Sequence, residues 1–136
     1  MKKIPLPLSL LVILTLCFSG CEPYEEGPYL SLKTRTTRLV GSWQVNRGPF
    51  LNGVPDGAEE VLLTFERDRD FSFTYKYDLD AISLNGSWDW ADGTNELILR
   101  IFDTNERYEF VILRLSNRQM RLIDLYDDSY HELRKQ

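Results

Sequence analysis

The sequence predicts an all-β protein, an antiparallel eight-stranded up-and-down β-barrel. From Leu39 onward the apolar residues follow a strand-type pattern, and turn signals recur about every 8 to 12 residues, as in sandwiches and barrels. Short hairpin connections make neighbouring strands antiparallel, and closure of eight successive strands removes exposed edges. A two-sheet sandwich is the alternative. The barrel is favoured because no long crossover connection of the Greek-key type is visible in the sequence.

The individual strands are identified by alternation between turn signals. The third strand is the clearest, with polar residues on one face and four aromatic residues on the other: Phe71, Phe73, Tyr75 and Tyr77. In the fourth strand Gly86 indicates a bulge or a sharp bend. In chain order the predicted strands are Val40–Arg47, Glu60–Glu66, Phe71–Tyr77, Ile82–Trp90, Glu96–Phe102, Arg107–Leu115, Gln119–Tyr126 and Tyr130–Lys135.

The interior of this barrel is expected to be filled with side chains, because eight strands leave room for little else. The longest connection, Gly48–Ala58, contains the turn Pro55-Asp56-Gly57 and is expected to lie on the surface and contribute to recognition. The large apolar residues expected in the core are Trp43, Phe65, Phe71, Phe73, Trp88, Trp90, Phe102 and Phe110.

Ahead of the barrel lies a typical secretory signal. Lys2-Lys3 precede an apolar run from Ile4 to Phe18, and the small pair Ser19-Gly20 stands directly before Cys21. This arrangement resembles the lipobox of bacterial lipoproteins, which implies cleavage before Cys21 and attachment of lipid to its thiol. Two alternatives stay open: an uncleaved membrane anchor, although the run is shorter than the roughly 20 residues a spanning helix needs, and cleavage by the ordinary signal peptidase.

The expected organisation is therefore a signal peptide (1–20), a lipidated tether (21–37) and one barrel domain (38–136). The tether contains Pro23, Gly27 and Pro28 and carries the acidic pair Glu25-Glu26. That acidity resembles the export signals of lipoproteins moved to the outer face of the outer membrane, and a solvated linker explains it equally well. The expected location is the outer membrane, lipid-anchored, on its periplasmic or cell-surface face.

Composition excludes several classes of function. The 136 residues carry a formal net charge of −5, and loss of Lys2 and Lys3 with the signal makes the mature chain still more acidic. Such a balance argues against nucleic acid as a partner and against adhesion of the protein surface to anionic headgroups. Cys17 leaves with the signal, so Cys21 alone cannot form a disulfide framework or a cysteine-based metal site.

The tripeptide Gly41-Ser42-Trp43, which opens the first strand, resembles the Gly-x-Trp signature of lipocalins, and Gly86-Ser87-Trp88 repeats it. The mature chain resembles short lipocalin-like lipoproteins of Gram-negative bacteria. The resemblance implies a turn of 3₁₀ helix before the first strand and a tryptophan, Trp43, that plugs one barrel end. It also implies an arginine stacked on that ring, either Arg134 or Arg121.

No catalytic or metal-binding set is visible. His131 is the only histidine, and no serine or cysteine nucleophile can be assigned to it. Glu66, Asp68 and Asp70 alternate with arginines and are best explained as a solvated hairpin tip. We therefore expect a non-enzymatic protein without cofactor or metal.

Two functions from different classes remain. The first is a binding or interaction domain at the cell envelope that recognises a protein or glycan partner. The second is a carrier of a small hydrophobic ligand in the barrel interior, with Trp43, Tyr75, Trp88 and Trp90 as lining residues.

Overall fold

A computed structural model describes residues 33–47, 50–51, 54–91 and 95–136. The predicted signal peptide and residues 21–32 of the predicted tether, Cys21 among them, lie outside these residues. The described chain forms one short helix and eight antiparallel strands that close into a barrel in simple sequence order. The elements are α1 (Arg35–Leu39), β1 (Gly41–Arg47), β2 (Glu59–Phe65), β3 (Asp70–Tyr77), β4 (Asp80–Trp90), β5 (Glu96–Ile101), β6 (Arg107–Leu115), β7 (Gln119–Asp124) and β8 (Tyr130–Lys135).

The predicted fold class is confirmed, because β1 pairs with β8 as well as with β2 and no sandwich edge is left open. All strand bounds agree with the prediction within two residues. The largest differences are two residues: β4 begins at Asp80 instead of Ile82, and β7 ends at Asp124 instead of Tyr126. Asp124 closes a tight turn there: its carboxylate accepts a hydrogen bond from the Tyr126 nitrogen at 2.7 Å, and its main-chain oxygen accepts one from the Asp128 nitrogen at 3.0 Å.

Of the bulge or sharp bend predicted at Gly86, the bulge is not observed, since β4 keeps a continuous register with both β3 and β5. A Cβ at Gly86 would lie 2.0 Å from the main-chain oxygen of Arg100 and 2.3 Å from the Phe71 ring. The glycine is therefore required by close packing of a ring and a neighbouring strand against it. Register shifts occur elsewhere, in β1, β2 and β6.

The core lies inside the barrel and is built from alternate residues of every strand. Phe102 is an exception to the expected core set: it is 61 % exposed, because β5 ends at Ile101 and Phe102 lies in the following turn. The largest fully buried side chains are Trp43, Trp88, Phe50, Phe65, Phe73 and Phe110.

The helix α1 closes one end of the barrel. Thr34 caps it by accepting a hydrogen bond from the Thr37 nitrogen at 3.2 Å, and Leu39 is fully buried. The element expected here was a 3₁₀ turn, and α1 crosses the predicted boundary between tether and barrel at residue 37. We call this the helix end, and we call the opposite end, with the loop after β1 and the turns after β3, β5 and β7, the rim. Within the described part of the chain, no helix is long and apolar enough to cross a membrane.

Candidate interaction surface at the rim of the barrel

Trp43 lies at the helix end and is completely buried. Its indole nitrogen donates a hydrogen bond to the main-chain oxygen of Leu39 at 2.7 Å. The ammonium group of Lys135 lies 5.1 Å from the ring centre and donates to the main-chain oxygens of Arg38 and Val40. The ring thus joins the first strand to the end of α1 and fills the barrel beneath it.

The cation over Trp43 is Lys135, where the resemblance implied Arg134 or Arg121. Strand β8 places residues 131, 133 and 135 towards the inside, so Arg134 lies on the outer wall and is exposed. Arg121 is on the outer side of β7 for the same reason. Gly41 allows this contact, because its φ is +128° and a Cβ there would lie 2.5 Å from the Lys135 Cε.

Trp88 and Trp90 also lie towards the helix end. The Trp88 indole nitrogen donates to a main-chain oxygen of the β2–β3 turn at 2.9 Å, and that of Trp90 donates to the Thr36 hydroxyl of α1 at 3.1 Å. The guanidinium of Arg69 lies 4.7 Å from the Trp88 ring centre, and that of Arg35 lies 4.5 Å from the Trp90 ring centre. These rings are packed and hydrogen-bonded parts of the closed end.

Tyr75 lies near the rim, so the four residues proposed to line a ligand pocket do not share one. Tyr75 pairs across the sheet with Ile82, which is six residues, or about 20 Å of strand, from Trp88. Its ring packs 5.8 Å from that of Phe73. The tryptophans and Tyr75 therefore lie towards opposite ends of the barrel.

Phe50 fills the interior near the rim, a role that the sequence analysis missed. The loop after β1 was expected to serve recognition, yet Phe50 is only 1 % exposed. Its ring stacks on Phe110 with centres 5.2 Å apart, and it contacts Phe73 at 5.8 Å and His131 at 5.1 Å. The signal that could have identified it is the apolar pair Phe50-Leu51 within an otherwise polar, glycine-rich connection.

His131 is buried beneath Phe50, and its Nε2 lies 2.8 Å from the Ser129 hydroxyl. The carboxylate of Asp127 accepts a hydrogen bond from the Ser129 nitrogen at 2.9 Å. Hydrogen bonding from Ser129 lowers the pKa of Asp127 below its usual value. A catalytic triad places its acid on the histidine, whereas this acid contacts the serine. The arrangement organises the β7–β8 turn.

A cleft of about 410 Å³ opens beside this turn, between the start of β6 and the end of β7. Inside it the Tyr108 hydroxyl donates to the Glu106 carboxylate at 3.0 Å. Burial, followed by the hydrogen bond to Glu106 and the charges of Glu106 and Asp124, raises the pKa of Tyr108 to about 12. Its lining combines phenols with carboxylates and includes Tyr126.

All of the large apolar side chains that are exposed among the described residues lie at the rim. They occur in or directly before three connections: β3–β4, β5–β6 and β7–β8. Leu79, at the tip of the first, is fully exposed, and Tyr126 is 86 % exposed. We call these residues the rim cluster: Tyr77, Leu79, Phe102, Leu125 and Tyr126.

Carboxylates surround the rim cluster. Two of the basic residues near it are already paired: Lys76 contacts Glu60 at 2.6 Å, and Arg107 contacts Glu109 at 2.6 Å. The rim therefore combines apolar contact area with negative charge. Its exposed acidic residues are Asp56, Glu59, Glu60, Asp78, Asp80, Asp103, Glu106, Asp127 and Asp128.

Among the described residues, no group of three or more histidine, cysteine or acidic side chains is arranged to hold a metal ion. At the β2–β3 turn, the Asp68 carboxylate accepts a hydrogen bond from the Asp70 nitrogen at 3.3 Å. Those acids thus form part of a hairpin turn, as the sequence predicts.

The chain is similar in fold to solved structures from Bacteroides. A protein from Bacteroides uniformis ATCC 8492 aligns with a TM-score of 0.57 and 19 % identity, over 74 % of this chain and 90 % of that one. An uncharacterised protein from Bacteroides eggerthii DSM 20697 aligns with a TM-score of 0.56 and 14 % identity, over 72 % and 99 %. No family profile and no curated protein matches the sequence. At these identities the likeness concerns the fold alone.

Proposed function

We propose that the protein is a membrane-anchored, non-enzymatic, lipocalin-like lipoprotein that acts as an interaction domain at the bacterial cell envelope. Lipid on Cys21 holds it at the outer membrane, and the rim binds a protein partner. The sequence before residue 33 supports the anchor, since a charged start, an apolar run and Ser19-Gly20-Cys21 follow one another.

The observation that carries the binding role is the rim cluster. Exposed aliphatic and aromatic side chains in or beside three separate turns are a feature of protein contact sites when they occur together within a polar surround. The acids around them favour a partner with basic residues, through complementary charge. Aliphatic groups such as Leu79 and Leu125 favour a protein over a glycan, because sugars stack mainly on aromatic faces.

Site-specific photocrosslinking in cells tests the rim. A benzophenone amino acid in place of Leu79, and separately in place of Tyr126, should give the same crosslinked species, because both positions face one partner. The matched control is Ser83, which is exposed on the outer wall of β4. Crosslinks of equal yield from Ser83, or none from either rim position, would contradict the proposal.

Fractionation and acyl labelling test the anchor independently. The Cys21→Ser variant should leave the membrane fraction and take up no radiolabelled palmitate, whereas the parent chain should be labelled. Unlabelled parent protein would contradict lipidation. A variant that still partitions with membranes would place the anchor elsewhere in the chain.

The alternative function, carriage of a small hydrophobic ligand, requires space inside the barrel. Phe50 and its contacts with Phe73 and Phe110 occupy the interior below the rim. Trp43 and α1 occupy the other end. A ligand would have to displace Phe50, so this geometry favours the interaction domain.

A further inference from the structure

The charges of this acidic protein are segregated over its surface. The segments 33–40, 111–121 and 131–136 together contain eight lysines and arginines and a single acidic side chain, Glu132. That carboxylate already accepts a hydrogen bond from the Gln119 amide at 3.0 Å. These segments form α1 and the adjoining parts of β6, β7 and β8, whereas the exposed carboxylates lie mainly at the rim and at the β2–β3 turn. The protein therefore has a cationic surface on one side, although its net charge is −5.

Arginines on this surface face each other at close range. Arg114 of β6 and Arg121 of β7 are direct partners across the sheet, on the outer wall. Like charges in directly opposite positions destabilise a sheet. Arg121 is also the direct partner of Glu132 in β8, so one carboxylate lies beside the two guanidinium groups. This part of the outer wall therefore carries an excess of positive charge.

A polar groove lies next to this pair. It has a volume of about 710 Å³ and runs along the outer wall of β7 and β8. Arg118 and Arg134, both exposed, contribute guanidinium groups, and Asn117 and Gln119 contribute amides. Guanidinium and amide donors together bind phosphate oxygens well, because several N–H groups can point at one anion. We call the surface made by Arg114, Arg118, Arg121 and Arg134, with Lys33 and Arg38 at its edge, the basic face.

We propose that the basic face lies against anionic phospholipid headgroups and directs the rim away from the membrane. The proposal relies on the anchor of the proposed function for proximity. Cys21 precedes Lys33 by 12 residues, so the thiol can be at most about 40 Å of extended chain from it. A lipidated chain therefore brings this cationic surface within reach of the headgroups, and complementary charge then selects which side of the barrel makes contact.

The expected effect of each charge on membrane binding can be stated as a ratio of partition coefficients. Each lysine or arginine near an anionic bilayer raises binding by about fivefold. Loss of two arginines should therefore lower binding by about 20-fold or more. The attraction should disappear at high ionic strength, because salt screens exposed charges within a few ångströms.

Co-sedimentation with vesicles tests the proposal. The full chain with Cys21→Ser is mixed with vesicles of phosphatidylglycerol and phosphatidylcholine in equal parts, or of phosphatidylcholine alone, at low and high sodium chloride. The test variant adds R118Q and R134Q, which remove two exposed charges of the basic face. The control adds R67Q and R100Q, which remove two exposed charges located on other parts of the barrel. All of these chains contain the same apolar run, Ile4–Phe18, so its contribution to vesicle binding is the same in the test and control variants.

We expect binding that depends on phosphatidylglycerol, falls about 20-fold in the test variant and changes less than about threefold in the control. Equal losses in both variants would mean that only net charge matters and would overturn the proposal. Equal binding to both kinds of vesicle, or no loss in the test variant, would overturn it as well. Circular dichroism of each variant verifies the fold. Failure of the anchor is recorded separately, as missing palmitate label on the chain that retains Cys21.

Discussion

Trp43 and Lys135 face each other as direct partners across the β1–β8 pair that closes the barrel. The ammonium group lies 5.1 Å from the centre of the indole ring and also donates to main-chain oxygens at the end of α1. Burial, and then the charge of Lys33, lowers the pKa of Lys135 below its usual value. One residue pair thus joins the first strand, the last strand and the capping helix.

Replacing Trp43 by alanine should lower the free energy of unfolding by about 3–5 kcal/mol, because it leaves a large cavity at a completely buried position. Urea unfolding monitored by circular dichroism measures this. Trp43→Phe is the matched control: it retains a ring and should lose less, chiefly the hydrogen bond to Leu39. A loss below about 1 kcal/mol for the alanine variant would be inconsistent with a plug.

Gly86→Ala should destabilise the barrel by about 2–3 kcal/mol, because the added methyl group would overlap the Phe71 ring and a main-chain oxygen of β5. Gly57→Ala is the comparison. Gly57 has a φ of +91° and no atom within 4 Å of its virtual Cβ, so it should lose only about 1 kcal/mol through backbone strain. Thermal unfolding of both variants shows which substitution is more destabilising. A larger loss of stability for Gly57→Ala than for Gly86→Ala would refute the packing explanation.

Tyr108 should make the protein less stable in strong alkali. Its pKa is about 12 in the folded chain and 10.0 in the unfolded chain, so the unfolded state releases its proton first. Tyr108 therefore contributes roughly 1–2 kcal/mol to the free energy of unfolding below pH 10. This contribution is lost as the pH rises towards 12. Urea midpoints measured across this range should fall more steeply for the parent than for Tyr108→Phe. Identical slopes would show that the phenol titrates normally.

Titration of the protein with fatty acids and retinoid-like probes should give no saturable quenching of tryptophan fluorescence. The indole nitrogens of Trp43, Trp88 and Trp90 donate to groups of α1 or the β2–β3 turn, and Phe50 occupies the space towards the rim. Saturable quenching at micromolar probe would instead support the carrier function and would require Phe50 to move.

The strands could be predicted because each one carries its own signal. β6 and β8 have the bounds that the sequence predicted, Arg107–Leu115 and Tyr130–Lys135. Alternation reports which face of a strand is apolar, and turn residues report where the strand stops. Phe102 was assigned wrongly because a single apolar residue at a strand end fits either the strand or the turn.

Contacts between elements distant in sequence could not be predicted. Phe50 enters the core because the loop after β1 folds inwards, and Lys135 reaches Trp43 because the last strand pairs with the first. The rim cluster was missed for a similar reason. Its members lie on turns spread from residue 77 to residue 126, and each one alone is an ordinary exposed residue.

The sequence by itself determined the eight-stranded antiparallel barrel, most of its core and the expectation of a lipid anchor at Cys21, because these depend on local patterns of apolar, turn and signal residues. Only the tertiary structure decided how each end is closed, which cation lies over Trp43 and where the charges collect. Barrel closure brings residues nearly 100 positions apart into contact, and a one-dimensional pattern carries no information about that distance.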